Sequence, residues 1–234
     1  MAPVGNMFYP FPRGVVANPS QEKPRVMTLR YLFIASLFSV SPFISGCSMA
    51  GGDVQAGRNA LQTGQPNDAV GYLTRAAATD PNYEIPYRVR VSVLSYLGRA
   101  YLETGKDTEA RQTLERAVKL DNDDPLAHLY LGIAMLKTGE IERGRKEIEV
   151  GLRAIDDTLE YIQEDLVSGF YWDPNMQIRN DVRQTLAAKL DDSQLIVAGE
   201  RIGAEFDAEI DKARRDEGRG RGGGGGDGGG GGGS

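Results

Sequence analysis

The sequence predicts an all-α protein, an α-solenoid of about three helix-turn-helix repeats followed by a C-terminal helical annex. Three observations predict it. Apolar residues recur at spacings of three and four through the middle of the chain. Proline is sparse there, with only Pro125 and Pro174 between Pro86 and Gly218. Short motifs also return at a fixed offset: Leu97-Gly98 as Leu131-Gly132, and Thr104-Gly105 as Thr138-Gly139, both 34 residues later.

The first element is an export signal over residues 1–46. Tyr31 to Ile44 (YLFIASLFSVSPFI) carries no charge and is short for a bilayer-spanning helix. Arg30 stands directly before it, with Lys23 and Arg25 further back, and small residues end it. A positive flank, a short apolar centre and a small-residue end are the parts of a signal peptide. The proline- and aromatic-rich stretch before Met27 makes an overlong leader, and Met27 offers a start of ordinary signal length.

The segment closes on Ile44-Ser45-Gly46-Cys47, which resembles the lipobox of bacterial lipoproteins. The resemblance implies that Cys47 is acylated and becomes the first residue. Residues 47–52 are then a lipidated tether. Cys47 is the only cysteine, so an intramolecular disulfide and a cysteine-based zinc cluster are excluded. Several acyl chains on one cysteine would hold the protein firmly to a membrane. Ser48, where an aspartate would favour the inner membrane, implies the outer membrane facing the periplasm.

Residues 53–155 hold the repeats. The middle one reads Leu94-x-x-Leu97-Gly98-x-x-Tyr101, then Ala110-x-x-x-Leu114-x-x-Ala117. The third reads His128-x-x-Leu131-Gly132-x-x-Met135, then Gly144-x-x-x-Ile148-x-x-Gly151, with glycine twice in place of alanine. Both resemble the tetratricopeptide repeat (TPR). In the first repeat Gly64, Ala69, Leu73 and Ala76 align with Gly105, Ala110, Leu114 and Ala117, and Ala56-Gly57 falls at the Leu-Gly position. That repeat lies 41 residues upstream of the second, and the seven extra residues are close to two helical turns. They predict a lengthened helix from about Pro86 to Glu103. Asp80-Pro81 and Asp124-Pro125 each read as an N-cap followed by proline in the first turn. Gly64, Gly105 and Gly139 suit left-handed positions between helices.

The annex is assigned to residues 156–217. Ile148, Leu152, Ile155, Leu159, Ile162 and Leu166 form one apolar stripe. It is read either as one unbroken helix from about Glu140 to Val167 or as a restart capped by Asp157 and Glu160. The stripe either caps the solenoid or forms a dimer seam. Phe170-Tyr171-Trp172 is either core or a partner-binding patch. Asp173-Pro174 reads as a helix start, with Ile178, Val182, Leu186 and Leu190 on one face. A last helix from about Ser193 to Arg215 uses Leu195, Ile202, Phe206 and Ile210. Residues 218–234 form a glycine-rich tail whose composition favours disorder.

The chain carries a formal charge of −6. Residues 1–46 hold four basic side chains and one acidic, so the processed chain stands at −9. That acidity argues against binding nucleic acid through its phosphates. His128 is the only histidine and sits at the position where TPR motifs favour tryptophan, a core position. The Asp121-Asn122-Asp123-Asp124 run lacks the central glycine and distal glutamate of a calcium loop. No catalytic residues, metal site or cofactor are assigned, apart from the covalent lipid on Cys47. The TPR resemblance implies a non-enzymatic protein that binds a protein segment along its concave face. By alignment that groove includes Arg58, Tyr96, Arg99, Leu126, Tyr130 and Ile133. Arginine and tyrosine there suit a segment bearing carboxylates and apolar side chains, although the same residues also make an ordinary wetted surface. The implied role is a periplasm-facing scaffold or adaptor for envelope proteins. A regulator of a cell-wall or polysaccharide enzyme is the alternative, and an enzyme with a site near Trp172 the remote one.

Overall fold

The computed structural model describes residues 46–85, 87–164 and 170–222. The export signal before Gly46, the end of the stripe at Leu166 and the tail beyond Gly222 lie outside the described residues. Eight helices occur among those described: α1 (Gly46–Gln62), α2 (Pro66–Thr79), α3 (Val93–Glu103), α4 (Asp107–Leu120), α5 (Pro125–Lys137), α6 (Ile141–Glu164), α7 (Gln177–Ala187) and α8 (Asp192–Gly222).

The first six form three helical hairpins, α1/α2, α3/α4 and α5/α6, stacked in sequence through α2 on α3 and α4 on α5. The turn glycines Gly64, Gly105 and Gly139 adopt φ of 71°, 72° and 91°, a region that L side chains enter only with strain. Each hairpin closes on one recurring contact. A Cβ added to Gly57 would lie 2.5 Å from Leu73, one added to Gly98 would lie 2.3 Å from Leu114, and one added to Gly132 would lie 2.5 Å from the Ile148 backbone nitrogen. The glycine thus receives a large residue sixteen positions later in each repeat. The glycines that replace alanine in the third repeat have the same cause. An added Cβ at Gly151 would stand 2.4 Å from the Leu129 backbone nitrogen, and one at Gly144 would stand 2.8 Å from the Gly132 carbonyl. The α5/α6 backbones therefore approach more closely than a methyl group allows.

Asp124 locks two repeats in register. One carboxylate oxygen caps α5 by accepting from the Leu126 and Ala127 amides, both at 3.0 Å. The other accepts from the Ser92 amide at 2.8 Å and the Ser95 hydroxyl at 2.6 Å, where α3 begins. Burial pushes this carboxyl above its ordinary value, against the pull of the donors.

Several sequence expectations are corrected. The seven extra residues do not lengthen α3, which starts at Val93. Instead residues 84–85 and 87–92 are non-helical, with an antiparallel bridge between Glu84 and Ser92. The Ile85 amide donates to the Val91 carbonyl at 3.1 Å, and the Val93 amide to the Tyr83 carbonyl at 2.9 Å. Pro86 offers no amide to a helix. Val89 and Val91 are buried while Arg88 and Arg90 are exposed, a period of two that suits extended backbone. Asp80 does not start a helix: it is the C-cap of α2 and turns the chain by accepting from the Asn82 amide. Residues 47–52 belong to α1, which begins at Gly46. α6 runs unbroken across the assigned 155/156 boundary, and α8 continues through Gly222, past the expected start of the tail at 218.

The stripe is consumed within the chain. Ile148, Leu152, Ile155, Leu159 and Ile162 are all buried, on a helix that packs against α5, α7 and α8. These side chains are not free to form a dimer seam, and α6 acts as the cap of the solenoid.

Candidate functional site

The concave face is lined by the first helix of each repeat, α1, α3 and α5. All six expected groove residues lie there, and all are buried: Arg58, Tyr96, Arg99, Leu126, Tyr130 and Ile133 range from 0 to 6% exposed. The expected open groove is therefore corrected, because α8 occupies it.

α8 reaches this position for two reasons that differ across its width. Toward α5 it comes close because it presents glycine. A Cβ added to Gly203 would sit 2.6 Å from the Tyr130 hydroxyl, and one added to Gly199 would sit 3.2 Å from Ile133. Toward α1 the gap is spanned by long polar side chains. Arg58 donates from Nε and Nη2 to one Asp207 oxygen, at 2.9 and 2.6 Å, and from Nη1 to Asp211 at 2.8 Å. Gln62 donates to the other oxygen of each carboxylate, at 3.3 and 3.2 Å. Arg99 reaches Asp207 at 3.5 Å and donates to Glu103 at 2.8 Å.

The two tyrosines lie beneath the two arginines. Arg58 sits 5.1 Å from the centre of the Tyr96 ring and Arg99 6.0 Å from that of Tyr130, distances at which a cation is attracted by a ring face. Burial, and secondarily Asp207, holds the Tyr96 hydroxyl well above its ordinary pKa, and burial does the same for Tyr130. Burial alone would lower the two guanidinium groups. The tyrosines and carboxylates around them outweigh it, and both are raised.

Magnitudes decide what holds α8. Ile202, Phe206, Ile210 and Leu195 are buried on it, each worth about 1.5–3 kcal/mol before entropy. A buried ion pair roughly breaks even against its desolvation. The apolar row binds α8, and the Arg58–Asp207–Asp211 cluster sets its register. Sequence reasoning missed Asp207, Asp211 and Gln62. A signal was present, since Phe206-Asp207 and Ile210-Asp211 put an apolar residue beside a carboxylate twice, four residues apart. That is the chemistry the groove residues call for, supplied by the chain itself.

The cover is incomplete at one end. A recess of about 540 Å³ remains between the α1/α2 turn at Gly64 and Pro66, α3, α5 and α8, with Arg99, Glu103, Lys137 and Glu200 in its lining. Lys137 and Glu200 pair across its rim at 3.1 Å.

A TPR repeat family model matches residues 98–139. The stretch spans the second half of α3, all of α4 and α5, and ends at the third turn glycine. No curated protein matches the chain. With eight helices and no strand among the described residues, the fold is an all-α TPR solenoid. TPR domains generally bind protein partners and typically serve as non-catalytic scaffolds.

The annex closes the α6, α7 and α8 end. Trp172 is fully buried, stacks on Tyr87 with ring centres 5.7 Å apart, and donates to Glu217 at 3.4 Å. Burial and the Glu217 carboxylate push the Tyr87 hydroxyl up to about 12. Of the two readings of the aromatic trio, Trp172 is core, whereas Phe170 is 78% exposed. Among the described residues, Trp172 itself is packed into the core against Tyr87. Asp173 does not itself begin a helix, because α7 starts at Gln177. With φ of 41°, it turns its carboxylate back to cap α7 from outside, accepting from the Ile178 and Arg179 amides at 3.1 and 3.2 Å. The buried Arg179 guanidinium then joins Asp173 to Gln163 of α6. His128, 6% exposed, is satisfied at its core position by Glu147 at 2.6 Å and the Asn122 carbonyl at 2.9 Å.

Proposed function

We propose that the protein is a lipid-anchored TPR adaptor, facing the periplasm from the outer membrane, that holds another envelope protein during assembly of an envelope complex. The observation that carries this reading is the Ile44-Ser45-Gly46-Cys47 sequence, which is followed directly by the helical hairpins that begin with α1. Acylation at Cys47 attaches the solenoid through its first helix.

The partner enters at the mouth that α8 leaves uncovered. The Lys137–Glu200 pair at the rim can open to exchange partners with an incoming charged group, the Arg99–Glu103 pair lies behind it, and Leu102 adds an apolar wall. Such a recess accepts one polar anchor side chain or chain end, with the rest of the partner lying on the rim.

Two measurements test the reading separately. Growing cells are labelled with a tagged fatty acid, and label should appear on the wild-type chain and vanish with Cys47→Ala. Equal labelling of both removes the anchor. A photoreactive residue at Lys137 should capture one dominant envelope protein, while the same residue at Tyr161, on the outer side of α6, should not. Capture at Tyr161 alone, or at neither position with folded protein, removes the mouth as the binding surface.

A further inference from the structure

The start of α1 and the end of α8 lie at the same end of the molecule. Contacts between them fix this. Gln62 and Arg58 meet Asp207 and Asp211, while Gln55 meets Arg214 at 3.3 Å, so residue numbers fall along one helix as they rise along the other. Continuing the antiparallel course, Cys47 lies about 12 Å beyond Gln55, and Arg219 about 7.5 Å beyond Arg214, at the helical rise per residue. Glu217 ties this end to Trp172 and, at 3.4 Å, to Arg88.

Exposed aromatic and arginine side chains meet at this end. Phe170 projects with 78% of its area exposed and meets Tyr171 edge-on at 5.5 Å. The two line an open depression of about 760 Å³ together with Pro174, Lys212, Asp216 and Arg219. Arg215 is exposed one turn from Arg219. Of the nearby acids, Asp211 is held by Arg58, Glu217 by Trp172 and Arg88, and Glu209 by Lys212 and the Asp173 amide, so Lys212 must exchange that partner to meet a phosphate, while Glu164 is exposed beside Gln163. Asp216 pairs loosely with Arg219 at 3.8 Å. Asp121 and Asp123 pair with Arg90.

Exposed aromatics set among arginine and lysine are the composition of a bilayer interface, where rings sit at headgroup level and cations meet lipid phosphates. We infer that this end is a membrane-facing surface that docks on an anionic phospholipid bilayer, through Phe170, Tyr171, Lys212, Arg215 and Arg219. The inference rests on the reading of Cys47 as the acylated residue, which sets the bilayer at this end. It adds a second attachment that orients the solenoid and turns the α3/α5/α8 mouth away from the lipid. Among the described residues no helix is long and apolar enough to cross a membrane.

The test uses the chain from residue 47 to 234, made without residues 1–46 and so without an acyl group; it contains every buried core residue. It is sedimented with vesicles of phosphatidylethanolamine and phosphatidylglycerol, and with vesicles of phosphatidylcholine alone. Binding is expected to the anionic vesicles, to weaken with added salt, and to be slight on phosphatidylcholine. Arg215→Glu with Arg219→Glu should weaken it at least 25-fold, about fivefold for each cation removed, and Phe170→Ser should weaken it further. These positions are exposed, so the urea midpoint should stay at the wild-type value. Equal binding to both vesicle types, or no loss in the charge-reversed variant, overturns the inference. So does a photoreactive residue at position 170 that captures a protein in cells and no lipid. Because this protein is unacylated, failure here leaves the Cys47 labelling result standing by itself, and failure of the labelling leaves this one.

Discussion

Asp207→Ala should destabilise the fold by loosening the register of α8 while its apolar row stays buried. Asp207 is fully buried and accepts from Arg58, Gln62 and Arg99 together. Its removal strands a guanidinium that is 1% exposed. Breaking a buried pair in this way costs about 3–5 kcal/mol. Asp211 still holds the Arg58 Nη1 at 2.8 Å, which places the cost near the lower end, about 3 kcal/mol. For a urea dependence of about 2 kcal/mol/M the midpoint falls by about 1.5 M, and the melting temperature by about 6–12 °C. Trp172 is the single tryptophan and donates to Glu217 on α8, so its fluorescence reports both global unfolding and release of that helix. The companion is Arg58→Met with Asp207→Leu. Replacing both charges by apolar groups should recover most of the loss, because the pair itself roughly breaks even. An Asp207→Ala cost below about 1 kcal/mol would show that the cluster is solvated and not buried. A double variant as damaged as the sum of its parts would show no coupling between the two residues. Either result refutes the argument that polar register and apolar grip are separate contributions.

Three further outcomes follow from the same geometry. Gly132→Ala would place a methyl group 2.5 Å from the Ile148 nitrogen and 2.6 Å from the Gly144 carbonyl, costing about 1–3 kcal/mol by overpacking. Gly71→Ala on α2, with nothing within 4 Å, should instead stabilise by about 0.5–1 kcal/mol; urea midpoints of the two variants should move in opposite directions. Asp124→Ala removes the cap of α5 and the partner of the Ser92 amide, and should cost about 2 kcal/mol or more, read by hydrogen exchange at the start of α5. The Glu147 hydrogen bond, opposed by burial, raises the His128 pKa above its ordinary value. A raised basic group favours the folded state when protonated, so its contribution is complete below the ordinary value near 6.5 and fades as pH rises through the folded one. Urea midpoints of wild type and His128→Gln should therefore differ most at acid pH and converge in alkali.

The helix pairs were legible because they rest on local rules. Gly98 and Gly132 at a fixed offset, the left-handed glycines at 64, 105 and 139, and the Asp124-Pro125 cap each act within a few residues or one hairpin, where periodicity and spacing carry the information. The misreadings lie where similar local signals meet a different context. Asp80-Pro81 resembles Asp124-Pro125, yet it ends α2, because Pro86 and the alternating valines after it favour extended chain. Seven residues matched two helical turns by length alone, and length does not distinguish a helix from a loop.

The sequence by itself determined that this chain stacks helical hairpins, and that its concave face asks for carboxylates set beside apolar side chains. It also supplied both halves of the answer, Arg58 and Tyr96 in one place and Phe206-Asp207 and Ile210-Asp211 about 150 residues later. That the second half fills the first was decided only in three dimensions. A contact between residues 58 and 207 depends on how each hairpin turns the next and on Gly199 and Gly203 letting α8 settle against α5. No periodicity along the chain encodes that closeness; it follows from the summed packing of the helices between them.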